Sequence, residues 1–295
     1  MNKEDISFAF FGTGPLAESV LATLYRNGFI PKLVVTKPDA PQGRHLHITA
    51  PHIKTWCEIK NIEVYQPSSL REIPSDSPLH NKKFDVFIVA SYGKIIPNEI
   101  LNISRLGILN VHPSLLPKYR GASPIESVLL DGLIETGVSI IKLDEEMDHG
   151  PILVQNAFQI NKLATSGTLE VEAGQIGGEL LSKILIDYVE GNLIPKEQDH
   201  SDATFCKKIE KELGEIHLND KASEVRNKFR ALTPWPSIFF FQKHLDKNIR
   251  VKINNIDLEK EIDDDTNVIE IIKTVTPEGK KEMSWDSFNK GYLHN

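Results

Sequence analysis

Asn110 and His112 lie two residues apart at the end of a short apolar run, residues 108–111. In an extended chain, positions i and i+2 point the same way, so an amide donor and a titratable imidazole would stand side by side. Pro113 holds His112 in extended or polyproline geometry, which preserves that alignment. A third polar group follows downstream, where residues 138–143 lead into Asp144-Glu145-Glu146-Met147-Asp148-His149-Gly150-Pro151-Ile152. If this loop returns beside the strand end, the Asp148 carboxylate would pair with the imidazolium form of His112. An amide, an imidazolium and a carboxylate suit acyl transfer, because two donors stabilise an oxyanion while the carboxylate manages protons. Taken singly, each residue has a cheaper explanation, and Asp148 before His149-Gly150 is most simply a turn aspartate. Ser114 and Ser123 flank the loop, but no G-x-S-x-G elbow supports a serine hydrolase. His45-x-His47, His112 and His149 supply imidazoles, but no H-E-x-x-H or cysteine cluster completes a metal site, so no metal is expected.

The elements that must carry these residues are legible as alternating patterns. Residues 6–11, 32–36, 108–111 and 138–143 and the apolar part of 84–90 read as short strands, while Leu16, Val20, Leu21 and Leu24 recur at helical spacing. Such alternation predicts an α/β fold, a Rossmann-like, mostly parallel sheet with helices on both faces. Open sheets of this kind bind ligands beyond the C-terminal strand ends, where Asn110 and His112 fall. Gly12-Thr13-Gly14-Pro15-Leu16-Ala17 fits the dinucleotide fingerprint, yet the second strand ends Val34-Val35-Thr36-Lys37 with no acidic ribose ligand. Pro15 also removes an amide N–H from that turn, so a plain strand-to-helix turn is the better reading. A long amphipathic helix is expected over residues 169–190, ended by Gly191-Asn192, with a polar stretch after it. The expected division is a catalytic domain over residues 1–194, a linker over 195–206 and a second domain over 207–295. In the last, a helix over 220–231 runs into Thr233-Pro234-Trp235-Pro236, and strands at 237–241, 249–253 and 268–275 predict a small, OB-like β-barrel.

Composition bounds the function classes. With 295 residues, 40% hydrophobic and 25% charged, the chain is long enough for two globular domains. No apolar run approaches the roughly 18 residues that span a bilayer. The polar start lacks a secretory pattern, and two distant cysteines, Cys57 and Cys206, suit a reducing cytosol, so a cytoplasmic monomer without membrane contact is expected. The net charge of -7 argues against indiscriminate nucleic-acid coating. Charge is uneven, however: residues 203–252 hold eleven Lys/Arg against six Asp/Glu, net +5, and residues 253–295 hold five against ten, net -5.

The string N-V-H-P-S-L-L-P-K-Y-R-G-A-S-P-I at 110–125, then T-G-V-S at 136–139 and M-D-H-G-P-I at 147–152, resembles the formyltransferases that use 10-formyltetrahydrofolate. That resemblance implies that Asn110, His112 and Asp148 are the catalytic triplet. It also implies a folate site. Ser91, Tyr92, Gly93, Lys94, Ile95 and Ile96 are similar to the family segment whose backbone and apolar side chains clasp the pterin. Ser114, Leu115, Leu116 and Pro117 belong to the same site, and Glu145, Glu146 and Met147 match the loop on its other side.

Three features favour the branch of the family that acts on charged initiator methionyl-tRNA. Lys37-Pro38-Asp39-Ala40-Pro41-Gln42-Gly43-Arg44 resembles the loop which that branch inserts after its second strand, and Lys37 and Arg44 would meet phosphate or the acceptor end. Residues 203–237, through Ala203-Thr204-Phe205, Gly214-Glu215-Ile216 and Pro234-Trp235-Pro236, resemble the start of the family's C-terminal domain, and residues 278–291 resemble its tail. Lys207, Lys208, Arg226 and Arg230 are expected to contact tRNA, the two arginines sharing one helix face at four-residue spacing. Two features depart from the family: His45-Leu46-His47 stands where members carry more Lys and Gly, and the stretch between Ile253 and Val275 is short, so the barrel is expected to be truncated and open. The runner-up is a sugar-nucleotide N-formyltransferase using the same donor. A glycinamide ribonucleotide enzyme fits less well, since its core needs no second domain. A non-catalytic folate- or RNA-binding module is the alternative of a different class.

Overall fold

The computed structural model describes residues 1–42, 47–245 and 247–293. The chain divides into two compact units. The first comprises Met1–Gly121, Gly137–Phe158 and Glu170–Phe205, the second Ala122–Thr136, Gln159–Leu169 and Cys206–Asn295.

The first unit is built on a seven-stranded sheet. Its strands are β1 (Phe8–Gly12), β2 (Leu33–Val35), β3 (Val64–Tyr65), β4 (Val86–Ala90), β5 (Ile108–His112), β6 (Glu135–Lys142) and β7 (Ile152–Gln159), in the order β7-β6-β5-β4-β1-β2-β3. The pairs β1–β2, β2–β3, β1–β4 and β4–β5 are parallel, and β5–β6 is antiparallel. The chain thus reverses its direction of travel across the sheet between β1 and β4, and crevices at such switch points are where open α/β sheets hold ligands. The sheet is covered on both faces. Ala9, Phe11, Leu33, Val35, Phe87 and Val89 alternate onto one face and join a buried cluster, while Phe8, Phe10, Val34, Val86 and Ile88 are fully buried on the other. Burying each such side chain contributes about 1.5–3 kcal/mol.

The fingerprint-like turn after β1 is structural. Helix α1 (Pro15–Arg26) starts on Pro15, with Gly14 at φ +91° before it. A Cβ on Gly12 would lie 2.6 Å from Ala17 Cβ and 2.8 Å from the Ala90 carbonyl, so the glycine serves close packing. Asp39 is occupied by Lys54 and Gln66, whose hydrogen bonds hold its carboxyl below the usual carboxylate range. Helix α2 (Ser166–Glu190) is longer at its start than the pattern predicts. Its packing face is partly glycine: a Cβ on Gly177 would meet Val111 at 2.5 Å, and one on Gly178 would meet Thr23 at 2.6 Å. The helix therefore lies close against α1 and against the strand that carries Asn110 and His112. Strand β7 had no clear sequence signature, because its residues alternate only weakly and are mostly exposed or half-buried.

In the second unit, helix α3 (Ala222–Leu232) buries Ala222, Val225, Phe229 and Leu232 at helical spacing and packs on the helix Pro124–Leu130. A four-stranded antiparallel sheet follows, β8 (Ile238–His244), β9 (Lys247–Ile256), β10 (Ile272–Pro277) and β11 (Met283–Ser284), ordered β8-β9-β10-β11. It is an open meander: among the described residues no pairing joins β8 to β11. The expected strand over 268–275 begins only at Ile272, because Asn267 and Glu270 form a capping box around a 3-10 turn at Val268–Glu270.

Candidate active site

Strand β5 presents Asn110 and His112 on one face, as the i, i+2 spacing predicts, and pairs them with Ile141 and Ser139 of β6. The loop after β6 then brings Asp148 back to them. Asp148 Oδ1 accepts from Asn110 Nδ2 at 3.4 Å and lies 3.5 Å from His112 Nδ1, while Oδ2 accepts from the Gly121 amide at 2.8 Å. The second ring nitrogen of His112, Nε2, is 2.9 Å from the Tyr119 carbonyl. A carbonyl only accepts, so Nε2 carries a proton and Nδ1 is the nitrogen that faces the carboxylate. The two side chains are 4% and 12% exposed, which excludes much of the water that would screen their interaction.

The loop is shaped for this return. Asp148 sits at φ +51°, a left-handed conformation that costs a non-glycine residue about 1–2 kcal/mol. Two residues on, a Cβ on Gly150 would fall 1.9 Å from the Lys142 carbonyl, so no other residue fits there without moving the backbone. The facing loop is fixed by Ser139, whose hydroxyl donates to the Ser114 carbonyl at 2.6 Å and accepts from the Leu116 amide at 3.1 Å. Gln155 Nε2 adds a hydrogen bond to the Leu116 carbonyl at 2.8 Å.

The residues expected around the folate divide into outward and inward groups. Ser91 (φ +46°) and Gly93 (φ +70°) turn the chain at the β4 end. Ile95 is 76% exposed and Met147 is 66% exposed, two apolar side chains presented by the two loops of the expected slot. Asn98 Nδ2 donates to Glu145 Oε1 at 3.2 Å, tying those loops together, while Glu146 is exposed. Lys94 Nζ donates to the carbonyls of Pro67 and Ser68, and Ile96 packs against the sheet core. Tyr92 points inward: it is 2% exposed, stands edge-on to Phe11, and burial pushes its hydroxyl up to about 12. Its ring therefore faces the sheet core and not the surface of the loop. Ser114 is likewise fully buried, its hydroxyl bonded to the Lys118 carbonyl at 2.6 Å, and Leu116 is buried, while Leu115 and Pro117 are half-buried.

Of the residues expected to meet tRNA, Lys207 and Lys208 are exposed. Arg226 is half-buried and donates to the Lys260 carbonyl at 3.2 Å. Arg230 does not share its surface. It is 8% exposed and its guanidinium donates to the Ala164 carbonyl at 2.9 Å and the Asn161 carbonyl at 3.2 Å. Helical spacing alone could not separate a solvated arginine from one that caps buried carbonyls. Lys37 is exposed and its ammonium lies over Gly93, beside the expected folate segment. Arg44, with Gly43 and His45, lies outside the described residues. Among the described residues no group of His, Cys, Asp and Glu could hold a metal ion, and no helix is long and apolar enough to cross a membrane.

Several partners of the triplet carried no signal in the sequence. Gly121 and Tyr119 act through backbone atoms, which residue type does not reveal. Gln198 and Thr204 lie in the stretch expected to be a linker, yet both hydrogen-bond to the loops of the site.

Comparisons with known proteins show the family. Residues 6–185 match the formyl transferase family, and residues 208–271 match the formyl transferase C-terminal domain. The methionyl-tRNA formyltransferase of Thermotoga maritima is 39% identical over 244 residues, 83% of this chain and 77% of that protein. That of Carboxydothermus hydrogenoformans is 37% identical over 296 residues, 96% of each. Among solved structures, an N-formyltransferase from Helicobacter canadensis in complex with folinic acid and dTDP-3-aminofucose superposes with a TM-score of 0.59 at 19% identity, covering 85% of this chain and 88% of that one. HypX from Aquifex aeolicus in complex with tetrahydrofolic acid gives a TM-score of 0.63 at 16% identity, over 98% of this chain and 47% of that one. At such identities the structures speak to fold alone. The sequence relatives cover most of their own length and most of this one, and the chain belongs to the formyl transferase family.

Proposed function

We propose that this chain transfers the formyl group of 10-formyltetrahydrofolate to the α-amino group of methionyl-initiator tRNA, by direct attack and without a formylated enzyme. The observation that carries this reading is the convergence of Asn110, His112 and Asp148 at the β5 end. Asn110 donates to the oxygen that gains negative charge as the amine adds to the formyl carbon, and His112, as the imidazolium, adds positive charge beside it. Asp148 receives the proton that the amine loses, through water, and returns it to the nitrogen that the formyl carbon leaves. The loops at 91–97 and 145–147 suit a flat, partly apolar heterocycle, with Ile95 and Met147 exposed on them and the Asn98–Glu145 hydrogen bond between them.

The names of the sequence relatives support methionyl-tRNA as acceptor. In this reading residues 1–194 carry the chemistry, and residues 207–295, with Lys207, Lys208 and Arg226 on them, meet the tRNA, while Lys37 and Arg44 act near its acceptor end. The protein works as a cytoplasmic monomer. A transfer assay offering 10-formyltetrahydrofolate with methionyl-tRNA or with an amino-sugar nucleotide tests the proposal. Formylation of the tRNA is expected. Transfer only to the sugar would overturn the acceptor, binding without turnover would make the chain a folate module, and a trapped formyl-serine or formyl-cysteine would overturn direct attack.

A further inference from the structure

We propose that residues 198–204 are a positioning strap for the catalytic loops, and that Gln198 is the positioning residue for Asp148; this rests on the catalytic reading of Asn110, His112 and Asp148. Gln198 is 6% exposed, and its Nε2 donates to the carbonyls of Asp148 at 2.9 Å and Gly150 at 2.7 Å. Those two carbonyls bracket the turn that holds Asp148 in its left-handed conformation. The direction of the amide is not arbitrary. Arg120 Nη2 donates to Gln198 Oε1 at 2.7 Å, and a guanidinium has only donors, so the oxygen must face Arg120 and the NH2 group must face the turn. Arg120 is itself buried, and its Nη2 also lies 2.8 Å from His200 Nδ1, which must accept. His200 stacks on His149 at 4.0 Å, and His149 Nδ1 pairs with Asp144 at 2.7 Å, so the strap also meets the descending side of the Asp148 loop.

The other end of the strap grips the opposite loop. Thr204 accepts from the Tyr119 amide through Oγ1 at 2.8 Å and from the Arg120 amide through its carbonyl at 2.8 Å, and its own amide donates to the Pro117 carbonyl at 3.3 Å. That loop supplies the Tyr119 carbonyl to His112 and the Gly121 amide to Asp148. One short segment therefore fixes both loops between which the imidazole and carboxylate meet. Gln198 hydrogen-bonds to the backbone of the turn and to Arg120, not to the side chains of Asn110, His112 or Asp148. It acts through the backbone of Asp148, and a displacement of an ångström in such a carboxylate is enough to slow a positioned reaction strongly.

The test is a double-mutant cycle in the full chain with Gln198→Glu and Asp148→Asn. The Gln198→Glu change keeps an oxygen for Arg120 and turns a second oxygen, with no donor, on the two carbonyls. Alone, it is expected to lower kcat by about tenfold while KM for folate and for methionyl-tRNA stays within about twofold. In the Asp148→Asn background the same change is expected to have no further effect, because the carboxylate it positions is gone. A wild-type kcat, a rise in KM alone, or an equal loss in both backgrounds would overturn the strap. Full activity in Asp148→Asn would overturn the catalytic reading instead, so the two failures are distinguishable. If thermal melting shows that Gln198→Glu does not fold, Gln198→Met enters the same cycle with the same criteria.

Discussion

The Asp148 carboxylate is held on a backbone that few aspartates adopt, at φ +51°. Function and stability can be separated there. Replacing Asp148 with glycine relieves a left-handed penalty of about 1 kcal/mol. It also removes the hydrogen bonds from the Gly121 amide and from Asn110 Nδ2 and the partner of His112, each worth about 1 kcal/mol. The net cost is about 2 kcal/mol, so Asp148→Gly should melt only a few degrees below the wild type while kcat falls by about 10² or more, the scale of losing a catalytic electrostatic group. Asp148→Asn, which keeps a residue that tolerates this conformation, should show the same loss of turnover, and so should His112→Ala. Steady-state kinetics and thermal melts on the same preparations decide the matter: a melting temperature that drops in step with turnover would make Asp148 a structural residue.

At the scale of elements, helix α3 and the helix Pro124–Leu130 each contain a charged group set against its surroundings. Burial, then the neighbouring Arg226 guanidinium, lowers the pKa of Arg230, and its hydrogen bonds to Ala164 and Asn161 offset the desolvation. Arg230→Met would leave those carbonyls unpaired and should cost about 2–4 kcal/mol, read as a lower melting temperature. Burial raises the carboxyl of Glu126 above its usual range. The folded state then holds that proton more tightly than the unfolded chain, so the stabilisation is complete below the usual carboxyl pKa and is lost as pH rises through the folded value. It is therefore smaller at neutral pH than in acid. Glu126→Gln should therefore raise the melting temperature at pH 7 and lose that advantage in acid, and a gain that is independent of pH would refute the assignment.

The same scale shows what the sequence could carry. Strands β1, β2, β4, β5 and β6 were legible because buried strands are short apolar runs, and Asn110 and His112 because a period of two fixes their common face. Asp148 was legible from the residues only as a candidate that a returning loop would bring to His112, since its loop has the composition of any turn, and its role came from the resemblance. The half-exposed strand β7, the 3-10 turn at Val268–Glu270 and the inward arginine at 230 were not legible, because each depends on a partner distant in sequence or on a local cap that overrides the apolar pattern.

For the whole molecule, the net charge of -7 lies in residues 1–202, while residues 203–252 carry +5 and residues 253–295 carry -5. The two segments interleave in one antiparallel sheet, and charges are screened beyond about 10 Å at 0.1 M salt, so the attraction expected for phosphate is confined to basic side chains in direct contact with it. Each phosphate contact removed should reduce the salt dependence of tRNA binding by about one unit of slope. A Lys207→Ala, Lys208→Ala, Arg226→Ala variant should thus bind tRNA more weakly and with a shallower slope, with folate affinity unchanged. Arg230→Met should leave the slope alone because its guanidinium is buried. Identical slopes for the triple variant and the wild type would move the RNA contacts to the catalytic unit.

The hydrogen bonds from Gln198 and Thr204 to the loops at 117–121 and 148–150 also bear on how the protein comes into being. A ribosome delivers Asn110, His112 and Asp148 well before it delivers residues 198–204. A nascent chain can therefore complete its sheet and display all three side chains while the backbone turn around Asp148 still lacks its anchor. If the strap acts as proposed, register at the site is completed late in translation, after the last strand of the seven-stranded sheet has formed and before the four-stranded sheet of β8 to β11 emerges. A fragment cut before Gln198 would hold Asn110, His112 and Asp148 without these hydrogen bonds to the loops that carry them.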